Sequence, residues 1–172
     1  MKADTTSMAP MNSAMPTMGK EQAGMYPRFA VMIGTSTIVM FGLMYLNTYE
    51  IDHVFFSQTR AWMALLMGAT MAVIMLTFMR GMYRNARRNA AIYGASVATF
   101  AVALWLVRSQ ATVTDVSWMK AMIPHHSIAI LTSERARITD PRVRALADGI
   151  ITAQRKEIGE MKSLITDLEA AR

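Results

Sequence analysis

Five consecutive residues, Met122, Ile123, Pro124, His125 and His126, carry two of the three histidines in the chain side by side. With Met119 one turn earlier, they place thioether and imidazole donors within one short stretch. Thioether plus imidazole is a soft-to-borderline ligand set. It suits copper, Cu(I) above Cu(II), whereas magnesium and calcium want oxygens and zinc more usually recruits cysteine, several histidines or carboxylates. On a helix, Met119, Met122 and His126 share one face, and His125 sits about 100° away but still beside Met122. A straight helix cannot aim both imidazoles at one point. Pro124 loosens that restriction by removing a backbone hydrogen bond, which lets the helix kink where the donors lie. The ordinary alternative is that the methionines fill a helix core and the histidines form a surface or hydrogen-bonded pair. Spacing alone leaves both readings open.

The elements that must position these residues begin in a membrane. The chain has 172 residues, 53% of them apolar, and a positive mean hydropathy that is high for a water-soluble domain. Residues 29–46, 62–79 and 90–107 are free of Asp, Glu, Lys and Arg, and each run is roughly 27 Å long as a helix, enough to span a bilayer. The first has no small-residue cleavage site after it and reads as a retained anchor. The connection 80–88 holds Arg80, Arg84, Arg87 and Arg88 with no acid, whereas 47–61 holds Glu50 and Asp52 against Arg60 alone. The positive-inside rule then puts the arginine loop and the N-terminal tail in the cytoplasm. The first loop and everything beyond residue 108 face outward, into the periplasm if the membrane is a bacterial inner membrane. Trp62, Trp105 and Trp118 all fall near that outer boundary. His53, His125 and His126 therefore share one compartment. The net charge of +6 reports this topology and gives little support to nucleic-acid binding. The absence of cysteine fits an oxidising compartment.

Beyond the third span, Thr114 or Asp115 can cap a helix running from Val116 to about Arg137. Asp140 as cap with Pro141 at the first helical position starts another. Its apolar residues Val143, Leu146, Ile150, Ile158, Met161, Ile165 and Leu168 recur at three- and four-residue steps and form one stripe. The fold class is thus all-α: three transmembrane helices and an extramembrane amphipathic hairpin, divided as a disordered Met-rich tail (1–27), a three-span membrane domain (28–108) and the hairpin domain (109–172). A lone hairpin leaves its stripes half covered, so a homodimer closing a four-helix bundle is expected, with Ile158, Ile165 and Leu168 at the contact; the competing cover is the outer surface of the membrane helices. With equal rise on both arms, position 126 looks toward 152–154 and positions 119–122 toward 156–159, and side-chain reach extends this to Met161. Gln154, Glu157 and Met161 interrupt or border the stripe at that height.

Residues 115–130, DVSWMKAMIPHHSIAI, followed by 143–165, VRALADGIITAQRKEIGEMKSLI, are similar to a bacterial domain-of-unknown-function family marked by an MIPHH core and a downstream AQxxEIxxM element. The resemblance covers about a third of the chain and is collinear across both helices. It implies a ferritin-like helical arrangement, copper binding in the periplasm by some members, and a role in copper tolerance. It also implies that Met122, His125, His126 and Met161 are copper ligands, with Met119 and Glu157 nearby. Some relatives are soluble, with more than one hairpin; here a single hairpin follows three spans.

Weaker features complete the survey. The tail methionines Met8, Met11, Met15, Met18 and Met25 lie among Pro, Ser, Thr and Gly and read as flexible chain. Met63, Met67, Met71, Met75 and Met79 form a ladder in the second span that reads as packing ahead of a copper path. Glu50, Asp52 and His53 read first as a solvated loop and second as an outer metal site. Neither EIGEM nor MIPHH supplies the Glu-x-x-His repeat of di-iron bundles, and no nucleophile arrangement is visible, so no enzyme is expected. The expected role is a membrane-anchored copper-binding protein for copper homeostasis or tolerance, with the lipid bilayer, a second copy and copper-handling proteins as partners. The alternative is a membrane interaction or assembly protein whose histidines are structural.

Overall fold

The structure is a computed structural model that describes residues 16–171, and the side chains of residues 24–171. Met8, Met11 and Met15, and the side chain of Met18, lie outside what it describes. Five helices follow one another: α1 (Pro16–Leu43), α2 (Gln58–Phe78), α3 (Ala86–Ser109), α4 (Asp115–Arg135) and α5 (Pro141–Ala170), with a 3-10 turn at Ile51–His53. Among the described residues there is no strand. Helix α1 starts at Pro16, so part of the expected disordered tail is helical, and Met25 packs with Tyr26, Phe29 and Tyr83.

Three helices are long and apolar enough to cross a membrane: Gly24–Leu43, Gln58–Phe78 and Ala86–Ser109. Local chemistry sets their ends. Ser57 Oγ accepts from the Arg60 amide at 3.2 Å and Asn85 Oδ1 from the Arg88 amide at 3.0 Å, each filling one of the donors left open in a first helical turn. Helix α3 stops where Gln110 turns left-handed, at φ 53°. Helix α2 lies between α1 and α3, and its small residues Ala64, Gly68, Ala69 and Ala72 are buried. A side chain at Gly68 would collide with Thr37 Oγ1, so this glycine sets how closely α1 approaches α2. At the end near the arginine loop, the Tyr26 hydroxyl donates to Asn89 Oδ1 at 2.9 Å and accepts from the Asn85 amide at 3.1 Å. In the methionine ladder, Met75 and Met79 pack against this aromatic cluster, while Met63 and Met67 are exposed.

Helices α4 and α5 form the hairpin. Thr114 caps α4, its Oγ1 3.4 Å from the Ser117 amide; Asp140 caps α5, accepting from the Arg142 amide at 2.8 Å. Between the arms, Val116, Met119, Ile123, Ile130, Ile158, Met161 and Ile165 are buried together, and Tyr49 and Phe55 of the first loop pack against them. Ion pairs close the edges, Lys120 with Glu169 and Arg155 with Glu134, both at 2.6 Å.

Two expectations change. The buried face of α5 runs through Ala147, Ile158, Met161 and Ile165, with Ile151 beside it, and Val143, Leu146 and Leu168 are exposed. Steps of four and three from Ala147 stay on one face, and that small residue lets the arms close near the turn. Ile158 and Ile165 are therefore used inside one chain and are not free to form a dimer face. The first loop, through Tyr49 and Phe55, covers part of the hairpin core. The arms are also offset from the equal-rise arithmetic: His126 meets Glu157 rather than residues 152–154.

Candidate metal centre

Helix α4 runs unbroken through Pro124, which is buried, and offers its two histidines to different neighbours. His126 Nδ1 lies 3.1 Å from the Met122 carbonyl, one turn back, and Nε2 lies 2.7 Å from Glu157 Oε2 on α5. Carbonyl and carboxylate oxygens both only accept, so a ring nitrogen must carry a proton to bond either one. Nδ1 faces the carbonyl, and Nε2, aimed across the hairpin, can take a metal only where it gives up a proton and Glu157. Anchoring one ring nitrogen on a backbone carbonyl fixes the ring plane, which is how metal-binding imidazoles are generally oriented. The His126 side chain is 16% exposed and that of Glu157 50%, so this pair stands at the edge of the hairpin, within reach of solvent.

His125 is exposed, its ring centre 6.2 Å from that of His126 and its plane turned by 67°. It lines a groove of about 600 Å³ where α4 meets the end of α1 and the start of α2, together with Met44, Met63, Trp118 and Met122. Met119 and Met161 are buried in the hairpin core, and Met122 packs against it. The structure thus gathers Met119, Met122 and Met161 in or beside one core, sets His126 and Glu157 at its rim, and turns His125 toward the groove. The donor chemistry fits a soft ion. Neutral thioethers tolerate apolar surroundings, and an oriented imidazole at the rim supplies the nitrogen donor. Glu157 is a rim carboxylate that competes with such an ion for His126 Nε2.

A second constellation lies on the other side of α4. His53 is buried at 6% exposure, and its Nδ1 is 3.0 Å from Ser127 Oγ. The same Oγ accepts the Tyr49 amide at 2.8 Å, and Ser127 itself is wholly buried. His53 Nε2 is directed toward Glu50 Oε2 and Asp52 Oδ1, each 3.7 Å away. Lys162 of α5 donates to Asp52 Oδ2, and this hydrogen bond holds the Asp52 carboxyl below the ordinary carboxylate range. The Tyr49 phenol is raised above its ordinary value, first by its hydrogen bond to the Glu134 carboxylate. The loop that the sequence presents as solvated is therefore partly buried and hydrogen-bonded to the histidine helix. The run Glu50, Ile51, Asp52, His53 was a local signal for this group. The role of Ser127 had none, because its partner is 74 positions away.

Residues 105–171 match the family described as Domain of unknown function (DUF305), a segment that takes in the last turn of α3 and both arms of the hairpin. Over 68 residues the chain is 40% identical to the uncharacterized protein L153 of Acanthamoeba polyphaga mimivirus, covering 38% of this chain and 45% of that protein. The chain thus spans about half the length of that relative. No solved structure matches the chain.

Proposed function

We infer that the protein is a membrane-anchored copper-binding protein of a bacterial inner membrane, its N-terminus cytoplasmic and its hairpin periplasmic, serving copper homeostasis or tolerance without catalysing a reaction. The observation that carries this reading is the orientation of His126: Nδ1 bound to the Met122 carbonyl, Nε2 aimed across the hairpin, beside a core that holds Met119 and Met161 and against which Met122 packs. Copper, as Cu(I), would be cargo held by Met122, His126 and Met161, with Met119 behind them and Glu157 at the rim. His125 faces the groove that also holds Met44 and Met63, a route by which copper-handling partners could reach the site. The arginine loop against the acidic first loop supports the orientation. A homodimer belongs to the same proposal. Its contact would use Leu146, Leu164 and Leu168, which share a face of α5 and stay exposed at 66%, 52% and 41%.

A second reading, a membrane interaction or assembly protein with structural histidines, draws on the burial of Met119 and Met161 among isoleucines and on the closed His126–Glu157 pair. One experiment separates the two. Competition titration of the full chain in detergent against a Cu(I) chelator should show binding weakened by roughly tenfold or more in His126→Ala and in Met122→Ala, and in the same direction in Met161→Ala. Variants that hold Cu(I) as tightly as the parent would leave the second reading standing.

A further inference from the structure

We propose a second metal site, of different chemistry, on the loop between α1 and α2: Glu50, Asp52 and His53 bind a divalent transition ion of the Zn²⁺ or Cu²⁺ type. The three lie outside the residues matched by the family. One ligand atom from each falls within 4.8 Å of the others, and His53 Nε2 stands 3.7 Å from an oxygen of each carboxylate. A tetrahedral zinc centre with bonds near 2.0–2.2 Å has ligand-to-ligand edges of roughly 3.4 Å. Closing the cluster onto an ion therefore takes a few tenths of an ångström on the two edges at His53, and up to roughly an ångström or somewhat more between the two exposed carboxylates.

Burial and orientation distinguish this cluster from a chance group of surface acids. His53 is more than nine-tenths buried, and its Nε2 has no hydrogen bond among the described residues. Ser127 Oγ holds the other nitrogen, an outer-shell contact that fixes the ring so that Nε2 points between the carboxylates. Lys162 takes Asp52 Oδ2 and leaves Oδ1 turned toward His53; Arg155, which also borders this cavity, is engaged by Glu134. Two carboxylates and one imidazole, with no thioether, select a borderline divalent ion. They do not suit Cu(I), and three protein donors are too few for the six to eight oxygens that calcium takes. A bound ion would also staple the loop to the hairpin. His53 is tied to α4 through Ser127 and Asp52 to α5 through Lys162, so the loop that covers the core would be held there by the metal.

The test uses the full-length protein in detergent, stripped with a chelator and titrated with Zn²⁺ against a competing zinc indicator. The parent should bind one equivalent at this site. The Glu50→Gln/Asp52→Asn double variant changes only exposed groups and should lose at least the roughly tenfold in affinity that removal of an outer-shell partner costs, with His53→Gln losing as much. His126→Ala should keep the parental Zn²⁺ affinity, which separates this site from the copper proposal. Cu²⁺ bound in the site should contribute an electron paramagnetic resonance component coupled to a single imidazole nitrogen, and His53→Gln should remove that component while His126→Ala leaves it. Absence of Zn²⁺ binding by the parent, parental affinity in the double variant, or loss of Zn²⁺ with His126→Ala would each overturn the proposal.

Discussion

His126 on α4 and His53, bound to the next residue of that helix, are held by opposite means. His126 sits on a helix, 16% exposed, with a carbonyl on one nitrogen and a half-exposed carboxylate on the other. His53 sits on a three-residue turn, buried, with a sealed serine hydroxyl on one nitrogen and two carboxylates standing off the other. Exposure decides what each imidazole can do. Breaking the rim pair returns the half-exposed Glu157 carboxylate to water, so the cost is small, about 0–1 kcal/mol as for partly exposed pairs. Disturbing the buried group strands polar atoms that water cannot reach. Under the copper proposal the rim imidazole would exchange Glu157 for the ion, whereas the buried one ties the loop to the hairpin whether or not an ion is present.

The strongest way to break this contrast is to remove what the two sides share. Ile123 is fully buried on α4 between them, in the core that both the loop and α5 contact. Ile123→Ala should destabilise the hairpin by about 2–5 kcal/mol, the usual cost of truncating a buried aliphatic side chain. Hydrogen exchange should show the Tyr49 amide and the α4 amides losing protection together. If the loop stayed protected while α4 opened, it would not belong to the hairpin core, and the two imidazoles would have to be treated as independent.

Ser127→Ala sharpens the contrast instead. It removes one oxygen and leaves the Tyr49 amide and His53 Nδ1 without their partner, so about 1–3 kcal/mol of destabilisation is expected in chemical denaturation. Glu157→Gln, the matching change on the other side, should cost less than about 1 kcal/mol. Equal effects would mean that exposure does not separate the two sides.

The sequence carried the helices and their order because long uncharged runs, the Asp140–Pro141 start and a three–four apolar rhythm are local signals. It also singled out Met119, Met122 and His126, which the fold sets in and beside the hairpin core. What it could not carry was direction. Whether Met119 and Met161 face inward, which carboxylate meets His126, and that α5 buries Ala147 rather than Leu146 depend on how far the arms slide past each other, which equal-rise arithmetic misjudged by about one turn. The loop was harder still. Tyr49 and Phe55 read as ordinary loop aromatics until the fold lays them on the hairpin, and Ser127 gains meaning only from a partner distant in the chain.

The smallest expected effect lies at the turn of the hairpin. Asp140 caps α5, and its carboxyl is held below the ordinary range first by the Arg142 side chain and then by the Arg142 and Val143 amides. A carboxyl whose pKa is depressed by folding contributes stability that is fully present above its unfolded value, near 3.9, and is lost as pH falls through the lower folded value. Asp140→Ala should therefore lower the thermal midpoint of the hairpin by a few degrees at neutral pH. The gap between parent and variant should close as the pH is taken below the ordinary aspartate range. Because the cap lies at the far end of α5 from Glu157 and Lys162, Cu(I) and Zn²⁺ affinities at neutral pH should be unchanged by the substitution. A change in either affinity would show that the register of α5 is set from the turn, and that the difference between the rim and the buried imidazole is transmitted along the helix rather than fixed by local burial.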